Sequence, residues 1–311
     1  MRAVVTGGAG FIGSHLASEL IERGVRVSVI DNLASGQKDR VPPLARFCEA
    51  DIRSQEAKRL IVQEKPDVVF HLAAQTDVQK SLLDPAYDAD VNIGGTIHLL
   101  CACLEAGVGK FVFASTSAVY GDLQKDCLSE DDETSPISYY GLSKLSAESY
   151  IRLFHQLYGI PYSILRFSNV YGPGQTPKGE GGVVAVFNDR IQAGNRIAIH
   201  GDGEQTRDFI YVKDVVRAVI AAAEKSNQQT IHVSSAVTTT INELAQALSR
   251  IHGSDVETVY AAARKGDIRH SCLDNRRART SLDWLPLTDL PAGLSETYAA
   301  ANKPYSGDES K

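Results

Sequence analysis

The stretch Thr6-Gly7-Gly8-Ala9-Gly10-Phe11-Ile12-Gly13 decides how this chain is read. An apolar run, Ala3-Val4-Val5, precedes it, and an apolar-periodic stretch from Phe11 to Leu20 follows. That order predicts a strand, a glycine turn and a helix. Gly7, Gly10 and Gly13 stand in G-x-x-G-x-x-G spacing, and Phe11 and Ile12 open the helix. Turn glycines admit a pyrophosphate to the backbone, and its charge then rests at the helix N-terminus. The last glycine lets helix and strand pack closely. Such turns also occur in ordinary α/β proteins, so the context has to decide. A second apolar run, Val25 to Ile30, ends in Asp31, near the distance at which a carboxylate meets an adenosine ribose. A carboxylate there repels a 2′-phosphate, which favours NAD over NADP. A solvated strand-end residue is the plainer reading of Asp31, and the glycines weigh against it.

Composition bounds the rest. The 311 residues suffice for one large or two modest domains with a full core. The chain is 43% hydrophobic and 23% charged, ordinary for a globular protein. Its net charge of −6 does not suggest nonspecific nucleic-acid binding. No apolar run approaches a membrane span, and the N-terminus enters a strand directly, leaving no room for a secretory signal. The five cysteines, Cys48, Cys101, Cys103, Cys127 and Cys272, are scattered, with no metal-type cluster. A reducing cytoplasm is therefore expected, with no metal.

Apolar runs alternate with helical spacing along the first half: Ala3–Val5, Val25–Ile30, Arg46–Glu49, Val68–Leu72, Phe111–Ala114 and Ser163–Phe167. This predicts βαβ units and an α/β fold, a Rossmann-type doubly wound parallel sheet. Ligands on such sheets bind beyond the carboxyl ends of the strands. The residues there are the glycine turn, Asp31, Asp51-Ile52, Ala73-Ala74-Gln75, Ser115-Thr116-Ser117 and Asn169. Asp51 could hold the adenine edge or cap the next helix. Ala73 and Ala74 could let a cofactor backbone pass or simply pack. After residue 170 a glycine- and proline-rich loop breaks the rhythm. The later segments, Arg196–His200, Phe209–Val212 and Thr230–Val233, could return to the main sheet. A smaller, interleaved α/β substrate domain is expected from residues 170–207 and 237–303. Residues 1–169 and 208–236 would form the cofactor domain, and 304–311 a polar tail.

Tyr140-Gly141-Leu142-Ser143-Lys144 opens a helical pattern running to about Tyr158. Tyr140 and Lys144 share one helix face. A tyrosine ionises near about pH 10, so a base working at neutrality needs a shift of about three units, roughly 4 kcal/mol. A lysine ammonium and a nicotinamide cation favour the phenolate together. An isolated Y-x-x-x-K is more often a surface tyrosine beside a solvated lysine. Downstream of a glycine turn and a Ser/Thr cluster, it points to catalysis.

Here the chain resembles the extended short-chain dehydrogenase/reductase family, and within it the nucleotide-sugar 4-epimerases. The markers span nearly the whole chain: Thr6–Gly13, Asp31-Asn32, Asp51-Ile52, Leu72-Ala73-Ala74, Asn92, Ser115–Gly121, Tyr140–Lys144, Arg166–Gly172 and Arg207-Asp208-Phe209. The resemblance implies NAD-dependent inversion at C4 of a UDP-hexose through a transient 4-keto sugar. It places Asn32, Ile52, Leu72 and Asn92 with the other NAD contacts. Phe167 stands where such epimerases often carry a tyrosine beside the nicotinamide. Tyr140 and Lys144 are the implied base and its partner. Thr116, four residues before the tyrosine of Val119-Tyr120-Gly121, is the implied hydroxyl on the reacting sugar oxygen, with Ser115 and Ser117 as alternates. Asn169, Arg207, Arg264 and Asp267 are implied contacts of the UDP moiety. Ser271, four residues past Asp267, falls where a tyrosine narrows the sugar pocket to plain hexoses, so N-acetylated sugars are expected to be accepted too.

The family's 4,6-dehydratases carry Thr-Asp-Glu before V-Y-G, and its decarboxylases resemble Thr-Ser-Glu. This chain reads Thr116-Ser117-Ala118. Elimination needs an acid/base that this motif does not supply. A reductase with exchangeable cofactor and a catalytically dead NAD-binding regulator are the remaining rivals. Asp31 argues against the first, and the presence of both Tyr140 and Lys144 against the second. On the Tyr140 helix, Tyr140, Lys144, Ala147, Ile151, Phe154 and Tyr158 form one stripe, while Leu142, Leu145, Leu153 and Leu157 lie elsewhere. Two apolar faces are buried twice. A twofold mate, paired beside the helix near Ile93–Leu104, would give a homodimer. Burial under the chain's own second domain is the alternative.

Overall fold

The computed structural model describes residues 1–123, 125–177, 182–263 and 268–301. In chain order the strands are β1 (Arg2–Thr6), β2 (Arg26–Asp31), β3 (Arg46–Glu49), β4 (Val68–His71), β5 (Lys110–Thr116) and β6 (Tyr162–Phe167). Then come β7 (Asn169–Tyr171), β8 (Ile197–His200), β9 (Thr206–Tyr211), β10 (Gln229–Val233), β11 (Thr238–Thr240) and β12 (Thr258–Ala261). The helices are α1 (Phe11–Glu22), α2 (Gln55–Glu64), α3 (Val78–Leu83), α4 (Pro85–Ala89), α5 (Gly95–Ala106) and α6 (Tyr139–Tyr158). They continue with α7 (Val183–Gln192), α8 (Val212–Lys225), α9 (Ile241–His252), α10 (Arg276–Leu282) and α11 (Leu290–Ala301).

A principal sheet runs β10-β6-β5-β4-β1-β2-β3, every pairing parallel. Its strands are near-continuous apolar runs because both faces are covered. Ala3, Val5, Val27, Val29 and Phe70 meet Leu16 and Leu20 of α1 and Val215 and Val219 of α8. The alternate residues, Val4, Ile30, Val69, Phe111 and Phe113, meet α2, α5 and α6 on the other side. This is the doubly wound Rossmann arrangement. The strand order reverses between β1 and β4, where a crevice opens beyond the carboxyl ends.

Of the later segments, β10 rejoins the principal sheet beside β6, and β9 does not. β9 instead pairs parallel with β7 and antiparallel with β11. Ser168 separates β6 from β7, so the chain leaves the main sheet within one residue and takes Asn169 with it. β8 and β12 form a separate parallel pair. These pieces gather a third apolar cluster around Tyr171, Phe187, Ile199, Phe209, Leu244 and Leu294.

Two glycines set the geometry of the site. A Cβ on Gly13 would stand 2.1 Å from the Gly7 carbonyl oxygen, so α1 can start directly over the turn only with glycine there. A Cβ on Gly141 would stand 2.5 Å from the Ala118 carbonyl oxygen. That contact seats the first turn of α6 on the 3₁₀ turn Ser117–Tyr120, and it brings Tyr140 to the end of β5.

Candidate active site

A cavity of roughly 310 Å³ lies at the sheet's reversal point. Gly7, Gly10, Phe11, Ile12, Gly13, Asp31, Asn32, Asp51, Ile52, Leu72, Ala73, Ala74, Tyr140, Lys144 and Phe167 all line it. α1 begins at Gly10 with no side-chain cap and no acid in its first turn. The helix N-terminus is thus presented to an anion. Asp31 closes β2 and accepts N–H bonds from Ala9 at 3.0 Å and Leu33 at 2.8 Å. Burial raises its pKa against those two bonds. A carboxylate has about four lone-pair directions, so acceptor capacity remains for hydroxyls. Asp51 is held differently. Arg53 grips it, Asn32 donates to it at 3.0 Å, and its pKa falls to about 2. Ser54, not Asp51, caps α2. Asn32 and Asp51 therefore stand as one bonded pair on the cavity wall.

Asn92 is buried in the π-helical turn Asp90–Gly94 and is not among the residues lining this cavity. Its carbonyl accepts from Gln75 N–H at 2.9 Å, and its amide donates to Gln75 C=O at 2.9 Å and Ser143 Oγ at 3.0 Å. A side-chain amide with those bonds made has little left for a ligand. What Asn92 does is fix Gln75, which lines the cavity. Beneath it runs a buried chain of bonds. Ala73 N–H donates to Thr6, Thr6 bonds His71 at 2.8 Å, His71 bonds Thr96 at 3.0 Å, and Thr96 donates to the Asn92 carbonyl at 2.6 Å.

A second cavity of roughly 240 Å³ adjoins the first and shares Phe11, Ile12, Ser35, Thr76, Ser115, Tyr140 and Phe167 with it. Tyr140 thus stands at the seam. Lys144, one turn along α6, is 3% exposed with Nζ 4.2 Å above the Phe113 ring. Burial lowers its pKa from 10.5 to about 7, while Glu148 and Asp88 push the other way. Thr116 lines the second cavity. Ser115 lines both cavities while its Oγ donates to Glu148 at 2.6 Å, and Ser117 lines neither.

Sequence reasoning missed the buried polar network behind this seam. Glu148 is fully buried and accepts from Arg166 Nε at 2.9 Å and Nη2 at 2.7 Å. Arg166 Nη1 donates to Tyr120 OH at 2.6 Å, and Tyr120 OH meets His232 Nε2 at 2.5 Å. His232 Nδ1 bonds the Asp274 carbonyl at 3.1 Å. A carbonyl only accepts, so Nδ1 carries the proton and Nε2 receives Tyr120's. Y-x-x-x-K-x-x-x-E spacing was a usable signal for Glu148. Lys80, Tyr87 and Arg40, which also line the cavities, carry no such signal.

Of the expected nucleotide-sugar contacts, Asn169 lines the second cavity. Arg207 lines neither, and its Nη1 donates to the Thr206 carbonyl at 2.9 Å. Ser271 is 7% exposed and also lines neither. Arg264 and Asp267 lie outside the described residues.

Residues 3–234 match the NAD dependent epimerase/dehydratase family. The chain belongs to that family. A UDP-glucose 4-epimerase of Mycolicibacterium smegmatis is 40% identical over 304 residues, covering 96% of this chain and 97% of that protein. A UDP-glucose 4-epimerase of Thermotoga maritima, solved with UDP-glucose, superposes with a TM-score of 0.95 at 44% identity, covering 97% of this chain and 98% of that one. The Thermus thermophilus UDP-glucose 4-epimerase solved with NAD gives a TM-score of 0.93 at 37% identity, covering 96% and 98%. This family member is thus an extended short-chain dehydrogenase/reductase, and among its described residues no helix is long and apolar enough to cross a membrane.

The buried network makes stability depend on pH. Burial lowers His232 from 6.5 to about 4. Its folded value lies below its unfolded one, so the unfolded chain binds the extra proton between them. Stability is then intact above about pH 6.5 and falls by roughly 3 kcal/mol as the pH drops to about 4. Fully buried His71 is lowered as well and acts in the same direction. In urea titrations across this window, His232→Gln should be less stable at pH 7.5 and show a flatter loss on acidification. An unchanged slope would mean that His232 is not held neutral.

Proposed function

We propose that this enzyme binds NAD and inverts C4 of a UDP-hexose, interconverting UDP-glucose and UDP-galactose through a transient 4-keto sugar. The observation that carries the reading is the seam between the cavities. Tyr140 borders both, with Lys144 behind it and Thr116 beside it, and no carboxylate is among the described residues lining the second cavity. Elimination or decarboxylation would call for an acid/base there. Inversion needs one base and a hydride acceptor.

The first cavity suits NAD on this chain's own residues. The glycine turn leaves the helix N-terminus uncapped, and Asp31 keeps acceptor capacity toward the cavity. NAD supplies the hydride acceptor and donor at C4 when bound. Tyr140 takes the 4-hydroxyl proton and later returns it. The ammonium of Lys144 favours the phenolate, and Thr116 donates a hydrogen bond to the reacting oxygen. Asn169, Arg207, Arg264 and Asp267 are assigned to the UDP moiety, as phosphate and ribose contacts. Tyr140→Phe should lose about 10²–10⁴-fold in kcat on UDP-galactose. Near-full activity would remove Tyr140 from the proton transfer, and no turnover on any UDP-sugar by the parent protein would favour a binding role.

The sugar pocket is assigned room for an acetamido group, because Ser271 carries no ring. Ser271→Tyr should lose UDP-N-acetylglucosamine turnover selectively. Equal loss on UDP-glucose, or none, would show that Ser271 does not border the sugar.

We also assign a homodimer. On α6, Leu142, Leu153 and Leu157 are 48%, 47% and 62% exposed, while Ala147 and Ile151 face the chain's own core. Burial by the chain's own later segments does not cover those leucines. A second copy would, pairing α5 and α6 about a twofold axis. Light scattering at micromolar concentration should give twice the chain mass, and a monomer would reject the assignment.

A further inference from the structure

Two cysteines far apart in the chain meet outside the catalytic seam. Leu128 and Leu273 form a parallel bridge. Leu128 N–H donates to the Cys272 carbonyl at 2.9 Å, and Asp274 N–H donates to the Leu128 carbonyl at 2.8 Å. In such a bridge the residues just before each partner lie side by side and face the same way. These residues are Cys127 and Cys272. The two thiols are near enough to perturb each other's ionisation. Leu128 and Leu273 pack with Val119 and Tyr120 in a cluster of their own, so the alignment is held from behind. Cys127 is partly exposed and Cys272 is buried.

We propose that Cys127 and Cys272 are an oxidative modification site, at which a peroxide-class oxidant forms a reversible disulfide tying the loop after β5 to the segment before α10. The step balances. Cys127 Sγ attacks one peroxide oxygen and releases water, leaving a sulfenic acid. Cys272 Sγ then attacks the Cys127 sulfur and expels a second water. The two thiols lose two electrons and two hydrogens, and the peroxide is reduced to two waters. The bridge already sets the two residues side by side, so little backbone movement is asked for. Burial raises both thiol pKa values, which slows reaction with oxidant and keeps the pair reduced until oxidant persists. Exposed Cys101, on α5, is the competing target, and it has no such bridge to a second cysteine.

The tied segment has a place in the enzyme. Its Arg269 carbonyl accepts from Thr206 N–H at 3.0 Å, and Leu273 N–H donates to Asp208 at 3.2 Å. It thus abuts β9, which carries Arg207, and contains Ser271. Oxidation should therefore change KM for the UDP-hexose more than kcat, a consequence that rests on the function proposed above.

The test treats the full chain with hydrogen peroxide under native conditions, then alkylates it in denaturant and maps peptides by mass, with and without dithiothreitol. The expected result is a Cys127–Cys272 peptide pair lighter by two hydrogens, which separates on reduction and is absent from Cys127→Ser. Both cysteines remaining alkylatable, Cys127 reaching sulfinic acid unlinked, or Cys127 joined to another cysteine would each overturn the proposal. Mass reports the link whether or not the protein turns over a sugar. A linked enzyme with unchanged KM would overturn the coupling to the site.

Discussion

The ion pair between Glu148 and Arg166 holds α6, the helix of Tyr140 and Lys144, to the sheet. Glu148 lies on α6 one turn after Lys144 and two turns after Tyr140, so all three share a face. Arg166 lies on β6, opposite Ser115 of β5. Glu148 therefore grips both strands at once, through Arg166 and through the Ser115 hydroxyl. Burial alone would push its carboxyl up, yet Arg166, Arg152 and Ser115 hold it below the ordinary range. Loss of one partner from a buried pair costs about 3–5 kcal/mol, far more than the pair contributes over an apolar substitute. What the pair contributes is position. If α6 slid by a turn, Tyr140 would leave the seam between the cavities.

The same carboxylate bears on the charge of Lys144. An ammonium removed from water loses hydration, and here burial lowers the pKa to about 7. Glu148 and Asp88 restore part of the charged form from two sides. Asp88 is itself buried and held by Ser143 at 2.5 Å and Gln75 at 2.7 Å. Gln75 is in turn fixed by Asn92. Burial and the Glu148 and Asp88 carboxylates, neither of which lines the cavities, thus set the charge of the lysine between them. A lysine so buried responds strongly to any further charge placed beside it.

Much of the fold was legible because a parallel sheet buried on both faces leaves unbroken apolar runs. Arg46–Glu49 appears where spacing put it. The glycine turn was legible because close approach admits no Cβ. β9 was not. Thr206–Tyr211 has the composition of a sheet strand, and its partner was decided by the chain's exit at Ser168, which no local pattern marks. The bonds of Asn92 were illegible for a related reason. A polar side chain can face a ligand or bond its own fold, and spacing does not say which. The π-helical turn that carries it brings the amide to Gln75 and Ser143. Lys80 and Tyr87 lay wholly outside reach, since α3 and α4 reach the cavity through tertiary packing alone.

Alternation along β5 bears on which hydroxyl serves at its end. Successive side chains on a strand point to opposite faces. Ser115 pairs with Arg166 in register and turns its hydroxyl to Glu148. Thr116, opposite Phe167, must then face the other way, and it does line the second cavity. Ser117 opens the 3₁₀ turn and has left the strand. Ser115 borders both cavities and Thr116 the second, so the Glu148 bond marks Ser115 as the hydroxyl already engaged. Two positions after Thr116, the same turn brings Ala118 under Gly141, where the helix backbone needs the space. The turn that follows β5 thus carries both the Thr116-Ser117-Ala118 motif and the carbonyl on which the Tyr140 helix is seated.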